Sequence, residues 1–187
     1  MPTIEKSTID GVILVTPDMY GDDRGFFIET YRREWLPLGR EMIQGNRGDR
    51  KIGSIVGFHY HLHQADYWYV PYGACRVILH DLRIGSPTQR NTMTIDVGTQ
   101  LDGSHKHLGI FIPPGVAHGF AALTDMTITY MVDNYYNASD ELGVAWDDPS
   151  INAKWGIENP VLSERDKTNP LVEQIPDQWM PHKNLRK

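Results

Sequence analysis

The chain has 187 residues, a net charge of −6 and a pI near 5.7, which argues against nucleic acid or an anionic membrane as its main partner, since both select a basic face. The length suffices for one core, and no Gly-, Ser- or Pro-rich stretch is long enough to separate two, so we expect a single domain over residues 1–187. Cys75 is the single cysteine, which excludes an internal disulfide, and the lack of a signal-like or long apolar run predicts a soluble, cytoplasmic protein.

The first part of the chain alternates short apolar runs with turns. β-branched and aromatic clusters bounded by Gly, Pro and Asp are typical of strands and the turns between them. The predicted elements are a strand at 12–16, a turn at 21–25, a strand at 26–30, one or two helical turns at 31–38, an extended segment at 43–46 and a polar, basic loop at 45–53.

The later part reads as further short strands up to about residue 132. The predicted strands are 75–82, 92–97, 109–112, 117–123 and 126–132, with a loop carrying His105 and His107 before the third. Many short strands separated by Gly and Pro turns favour an all-β jelly roll, an antiparallel sandwich or barrel. After Ala138 the pattern weakens to a short helical or irregular tail. Trp146, Trp155 and Trp179 predict that this tail packs back on the domain or on a second copy.

Three histidines recur at alternate positions between residues 55 and 63. At the two-residue period of a strand they share a face with two other residues. That face is Ile55, Gly57, His59, His61 and His63. Such imidazoles serve as a base, as metal ligands or as half-buried polar groups, and Asp66 just beyond could orient or co-ligate them. The alternative is a strand whose histidines face solvent.

The histidine segment resembles the first cupin motif, in which glycine is followed by His-x-His, an acid and a second glycine. The matching residues are Gly53, His59, His61, Asp66 and Gly73. The segment PPGVAH at 113–118 resembles the Pro-x-Gly-x-x-His turn of the second motif. In metal-binding cupins these positions hold one divalent ion, which implies the ligand set His59, His61, Asp66 and His118. Such N and O ligands suit Zn, Fe, Mn or Ni.

A second resemblance extends from about residue 11 to residue 170. In order and spacing, seven segments resemble the dTDP-4-dehydrorhamnose 3,5-epimerase family. They are GDDRGFFIE at 21–29, QGN at 44–46, GFHY at 57–60, IPPGVAHGF at 112–120, NYY at 134–136, WDDP at 146–149 and LSERD at 162–166. The resemblance implies a cupin-type jelly roll, usually a homodimer, that acts on a nucleotide-linked sugar without a cofactor or metal.

This resemblance also implies residue roles. Epimerisation beside a 4-keto group needs a base that takes a proton from C3 or C5, a stabilised enolate, and an acid on the opposite face. By position His59 matches the base, Asp166 the acid residue that holds its imidazole in one tautomer, and Tyr130 the opposing proton donor. The implied substrate-binding residues are Arg24, Phe27, Glu29, Gln44, Asn46, His118 and Tyr136.

Two positions depart from the family pattern. Val56 stands where the family has an arginine, which removes a phosphate contact, and Asp66 stands where the family has the lysine that steadies the enolate. A carboxylate about 4 Å from an enolate would turn a gain of about 4 kcal/mol into a similar cost at an effective dielectric near 20. A single term of about 4 kcal/mol corresponds to about a thousandfold in rate. Asp66 must therefore be protonated, turned away or covered by a cation.

Several hypotheses remain open for this site. A metal ion at Asp66 could polarise the keto oxygen as a Lewis acid, or nearby basic residues could supply the missing charge. Those residues are His63, Arg47, Arg50 and Lys51. The leading hypothesis is an epimerase acting on a dTDP-4-keto-6-deoxyhexose at C3, C5 or both. The alternatives are a metal-dependent cupin dioxygenase, lyase or isomerase with another substrate, and a non-catalytic protein that binds a sugar nucleotide.

Overall fold

The computed structural model describes residues 1–37 and 40–183. Within these ranges nearly all regular structure is antiparallel strand, as predicted. The strands are β1 Thr3–Lys6, β2 Ile13–Thr16, β3 Met19–Asp22, β4 Gly25–Ile28, β5 Gln44–Arg50, β6 Ile55–Tyr60, β7 Asp66–Tyr72, β8 Ala74–Asp81, β9 Thr92–Thr99, β10 His105–Lys106, β11 Gly109–Ile112, β12 Val116–Ala122, β13 Met126–Val132 and β14 Leu142–Val144. The helices are α1 Glu164–Thr168 and the 3₁₀ turns Arg33–Trp35, Ala138–Asp140, Val172–Gln174 and Asp177–Trp179.

The strands form two sheets that face each other. One has the order β1-β2-β11-β7-β13-β5 and the other the order β10-β9-β8-β12-β6-β14, while β3 and β4 form a separate hairpin. Most neighbours within a sheet are distant in sequence, as in a jelly roll. Among the described residues, no helix has the length and apolar character needed to cross a membrane.

The main core lies between the inner faces of the two sheets. Alternate residues of each strand point inward, so Trp68 and Val70 of β7 meet Val77 and Leu79 of β8 and Phe120 of β12. At one end of this core the inward residues become polar, and a cavity opens there. The two sheets therefore supply the two walls of the cavity.

The outer faces of the sheets are covered by segments with little regular structure. Trp155 and Ile175 from the tail pack on Phe58 of β6 and Ile78 of β8, and Trp179 joins the same cluster. A large buried aromatic side chain removes extensive apolar surface from water, so the tail is held without long helices. The prediction that the tail packs back on the domain is confirmed.

Three predictions about local structure are wrong in part. The loop predicted at 45–53 is largely strand β5, a polar edge strand whose backbone pairs with β13 from Gln44 to Arg50, so backbone hydrogen bonds hold it without an apolar pattern. The helical turns predicted at 31–38 are limited to Arg33–Trp35, and Leu38 and Gly39 lie outside the described residues. His105 belongs to the short strand β10 rather than to a loop.

The predicted alternation along the histidine strand is wrong in part, because His59 and His61 line one cavity as expected but Ile55 does not share their face. β6 pairs with β12 through His59 opposite His118 and Val56 opposite Phe120, so β6 has one extra residue between these pairs. This bulge turns Val56 and His59 toward the same cavity, while Ile55 packs in the outer cluster. A bulge re-aims side chains in this way because two residues oppose one.

Candidate active site

His59 and Asp166 form a hydrogen-bonded pair at the cavity wall. His59 Nε2 lies 3.1 Å from Asp166 Oδ1, although the two residues are far apart in sequence. Asp166 is on α1, whose N-cap Ser163 donates its hydroxyl to Asp166 Oδ2 at 2.7 Å and accepts the Asp166 N–H at 3.1 Å. This cap fixes the carboxylate, and its Oδ1 can then hold the imidazole in one orientation.

Gly57 makes this pair possible. A methyl group on Gly57 would stand 2.9 Å from Asp166 Oδ1 and 3.2 Å from its Cγ, which is closer than ordinary van der Waals contact. Only a residue without Cβ lets α1 approach β6 at this point. The glycine of the GFHY segment therefore has a specific steric role.

Glu141 is a second carboxylate beside the imidazole. Its Oε1 lies 3.4 Å from His59 Nδ1. Burial lowers the pKa of His59, but the hydrogen bonds to Asp166 and Glu141 outweigh it, and the net pKa lies above the usual value. Burial alone would raise the pKa of Glu141, yet His59 and Arg165 bring it down to about 2. Burial would also raise the pKa of Asp166, but the hydrogen bonds from His59 and Ser163 hold this pKa below the usual range.

The cavity beside His59 has a volume of about 280 Å³ and mixed polar and apolar walls. It is lined by Arg50, Val56, His59, His61, Gln64, Asp66, Trp68, His118, Phe120, Ile128, Tyr130, Tyr136, Glu141 and Arg165. Its walls come from both sheets. A concave, partly apolar cavity with a few convergent polar groups is the usual form of a small-molecule site.

Tyr130 lies on the wall contributed by β13, whereas His59 lies on β6 of the other sheet. Burial, with the nearby charges of Asp66 and Glu141, raises the pKa of Tyr130. The phenol is therefore protonated at neutral pH. The predicted base and predicted acid face one cavity from opposite sheets.

The predicted set of four metal-type residues divides into two groups. His61, Asp66 and His118 converge, with ligand atoms all within 4.8 Å of one another, whereas His59 bonds to Asp166 instead. Burial lowers the pKa of His118 to about 4. His63 is exposed and does not line the cavity, because β6 ends at Tyr60 and the chain turns before it. The predicted common face of three histidines is therefore wrong for His63.

Three of the substrate-binding candidates lie away from this cavity. Arg24 and Phe27 are exposed on the β3–β4 hairpin, and Arg24 bonds to Asp22. Glu29 follows the hairpin and pairs with Arg32 at 2.7 Å. Within one chain these residues form no contact with His59.

Gln44, Asn46 and Tyr136 lie at the rim formed by β5. Gln44 donates to Asn46 Oδ1 at 2.9 Å and accepts the Tyr136 N–H at 3.2 Å. Tyr136 lines the cavity, and Asn46 lines a neighbouring groove that Tyr130 also borders. These residues are thus held in one network beside the predicted acid.

The structure also shows which basic residues reach the cavity. Of the four proposed to replace the missing charge, Arg50 lines it, while Lys51 pairs with Asp125 and Arg47 with Asp49. Arg165 lines it as well and was missed, although it directly precedes Asp166 in the LSERD segment. Glu141 and Gln64 were also missed. Glu141 follows a weakly patterned stretch, and its position depends on the pairing of β14 with β6.

Comparison with known proteins identifies the family of the chain. The family model for dTDP-4-dehydrorhamnose 3,5-epimerase matches residues 6–174. The dTDP-4-dehydrorhamnose 3,5-epimerase of Shigella flexneri is 34% identical over 169 residues, which cover 86% of this chain and 91% of that protein.

Solved structures show the same fold. The dTDP-6-deoxy-D-glucose-3,5-epimerase RmlC of Legionella pneumophila Philadelphia 1, in complex with dTDP-4-keto-L-rhamnose, superimposes with a TM-score of 0.88 at 27% identity and covers 97% of this chain and 98% of that one. ChmJ, a 3'-monoepimerase from Streptomyces bikiniensis in complex with dTDP-quinovose, gives a TM-score of 0.84 at 27% identity, covering 94% of this chain and 91% of that one.

These likenesses confirm the predicted cupin-type jelly roll. They favour an epimerase over the two alternatives, a metal-dependent cupin enzyme with another reaction and a non-catalytic binding protein. The chain therefore belongs to the dTDP-4-dehydrorhamnose 3,5-epimerase family, and it is an isomerase.

Proposed function

We propose that this isomerase epimerises a dTDP-4-keto-6-deoxyhexose at C3, C5 or both. The observation that carries the proposal is the His59–Asp166 pair, which opens on the same cavity as Tyr130. The two relatives of known structure carry dTDP-linked sugars in their complexes. The proposed proton transfers use side chains alone.

His59 is the proposed base. With Nε2–H bonded to the fixed carboxylate of Asp166, the neutral ring presents Nδ1 toward Glu141 and the cavity. Removal of the C3 or C5 proton places the C–H electron pair in a new C=C bond and the carbonyl pair on the keto oxygen. The imidazolium that forms is stabilised by Asp166 and Glu141, which is consistent with its raised pKa.

Tyr130 is the proposed acid. Its raised pKa keeps the proton available, and no hydrogen bond occupies its hydroxyl among the described residues. Because Tyr130 comes from the sheet opposite His59, its proton would reach the face of the sugar opposite the one deprotonated. Return of a proton from the other face inverts the centre.

Arg50 and Arg165 are the proposed contacts for the diphosphate of the substrate. Both line the cavity. They would supply the positive charge that is lost because Val56 stands where the family has an arginine. The Arg165 guanidinium is positioned by the backbone carbonyls of Glu141 and Leu142, at 2.8 and 3.2 Å. Guanidinium groups match the geometry of phosphate oxygens.

The proposed assembly is a homodimer in which the β3–β4 hairpin reaches the partner's cavity. The hairpin belongs to neither large sheet, and Phe27 on it is 64% exposed. In such a dimer the substrate bound in one subunit's cavity would be contacted by hairpin residues of the other subunit, namely Arg24, Phe27 and Glu29. Mixing Arg24→Ala and His59→Ala chains would then restore about a quarter of wild-type activity, because half of the dimers hold one complete site. Absence of recovery after subunit exchange would contradict a shared site.

The proposed chemistry is tested by incubating the protein with dTDP-4-keto-6-deoxyglucose in deuterated water and following deuterium at C3 and C5 by NMR. Wild-type protein should exchange at the centres it epimerises, and His59→Ala should lower the rate at least about 100-fold. His63→Gln is the matched control, since that histidine is exposed and outside the cavity. Full exchange in His59→Ala would overturn the assignment of His59 as the base. No exchange in wild-type protein would overturn the proposed substrate assignment.

A further inference from the structure

Three side chains meet at the cavity wall next to the acid–base pair. His61, Asp66 and His118 are 5%, 3% and 5% exposed. His61 Nε2 lies 3.9 Å from Asp66 Oδ1, and His118 Nε2 lies 3.9 Å from Asp66 Oδ2. Each histidine thus faces a different oxygen of one buried carboxylate. We call these residues the His61–Asp66–His118 cluster.

The tautomer of each histidine is set by a backbone carbonyl. His61 Nδ1 lies 2.7 Å from the carbonyl oxygen of Asp140, and His118 Nδ1 lies 2.9 Å from that of Val116. A carbonyl can only accept, so Nδ1 carries the hydrogen in both rings and the neutral Nε2 presents a lone pair. Ligand histidines of metal sites are oriented by the same kind of Nδ1–H contact.

The Asp66 carboxylate has neutral donors as its partners. Gln64 Nε2 donates to Oδ1 at 2.9 Å and Trp68 Nε1 donates to Oδ2 at 3.0 Å. No lysine or arginine of the described residues forms an ion pair with it. The negative charge of the buried Asp66 carboxylate therefore lies beside the lone pairs of two histidine Nε2 atoms, with no positive charge among the three groups. A cation bound there would interact favourably with all three.

We propose that the His61–Asp66–His118 cluster binds one divalent transition-metal ion. Two imidazoles and one carboxylate on one side of an ion suit Zn²⁺, Fe²⁺, Mn²⁺, Co²⁺ or Ni²⁺ and leave positions open. Ligand atoms about 2.1 Å from a tetrahedral ion are about 3.4 Å apart, so the two histidine–carboxylate distances of 3.9 Å would shorten by about half an ångström. The widest separation within the cluster, which is at most 4.8 Å, would shorten by up to about 1.4 Å. Gln64 Nε2, which is 3.3 Å from His61 Nε2, turns away from that nitrogen and keeps its contact with Asp66.

Because His61, Asp66 and His118 all line the cavity, an ion bound at the cluster would be accessible to the proposed substrate, and this step rests on the proposed function. The 4-keto oxygen of the sugar would take an open position. When His59 removes the proton, the ion would stabilise the negative charge that develops on this oxygen by acting as a Lewis acid. Asp66 then serves as a ligand, and its charge is no longer presented to the enolate. This proposal replaces the sequence-based expectation of a reaction without a metal.

The first test measures binding without turnover. The protein is stripped with a chelator and titrated with Co²⁺, while visible absorption and calorimetry report the geometry and the stoichiometry. Wild-type protein should bind one Co²⁺ per chain, and Asp66→Asn and His118→Gln should weaken binding at least about 100-fold. His63→Gln should bind as wild type does. Because Asn keeps the size of Asp, thermal melting with and without Co²⁺ shows whether a variant is folded but no longer stabilised by the ion.

The second test follows deuterium exchange into dTDP-4-keto-6-deoxyglucose with stripped and with Co²⁺- or Zn²⁺-loaded protein. Binding at the cluster together with exchange that needs the ion would support the proposal. Exchange by stripped protein that binds no Co²⁺ would overturn it and leave the proposed epimerase intact. Binding with equal exchange in stripped and loaded protein would overturn the Lewis-acid role. Binding at the cluster without exchange of any tested sugar would support the metal site and overturn the proposed function.

Discussion

Gly57→Ala should disturb catalysis without touching the substrate. The added methyl group would lie 2.9 Å from Asp166 Oδ1 and 3.3 Å from its Cβ, whereas ordinary contacts begin near 3.4 Å. Asp166 must therefore move by about half an ångström away from β6. Overpacking of this kind costs about 1–3 kcal/mol of unfolding free energy, or about 2–12 °C in Tm for a chain of this size. Misplacement on this scale should lower the exchange rate about tenfold.

The displacement should also change the pH dependence. Asp166 raises the pKa of His59, so a weaker bond lowers this pKa and moves the acidic limb of kcat/KM to lower pH. The assay is deuterium exchange across pH, together with thermal melting. Gly45→Ala is the stability control, because its methyl group would meet nothing closer than 4.0 Å and its Tm should not fall. A Gly57→Ala enzyme with wild-type rate and an unchanged acidic limb would refute the steric argument.

Three further predictions concern groups around the same cavity. Glu141→Gln removes a charge that raises the pKa of His59, so the acidic limb of the kcat/KM profile should move to lower pH. Movement to higher pH would contradict the stabilisation of protonated His59 by Glu141. Tyr130→Phe should keep deuterium exchange at the centre deprotonated by His59 but lower formation of the inverted product at least about 100-fold, as measured by NMR of the sugar. Arg50→Ala should raise KM about tenfold by loss of a charge-assisted contact, whereas Arg47→Ala on the same strand should leave KM unchanged. Equal KM values would exclude Arg50 as a phosphate ligand.

The sequence by itself determined the all-β character of the chain. Alternation between the two faces of a sheet is a local property and predicts the strands at 92–97 and 126–132, while the Pro-Pro-Gly turn that follows Ile112 predicts the end of the strand at 109–112. The polar edge strand β5 was missed, since its stability comes from backbone pairing with β13 rather than from its own side chains. Gly57 is recognisable in the sequence as part of the GFHY segment, but its steric role depends on the position of α1 against β6.

The sequence also indicated the main acid–base residues, through family order: His59, Tyr130 and Asp166. Only the tertiary structure decided how the other polar groups are divided. The bulge in β6 turns Val56 inward, and the early end of the strand leaves His63 outside. His59 and His61 line one cavity, but His59 pairs with Asp166 whereas His61 converges with Asp66 and His118. A contact between residues as distant as 59 and 166 depends on how sheets and tail pack, and this is a global property that no local period encodes.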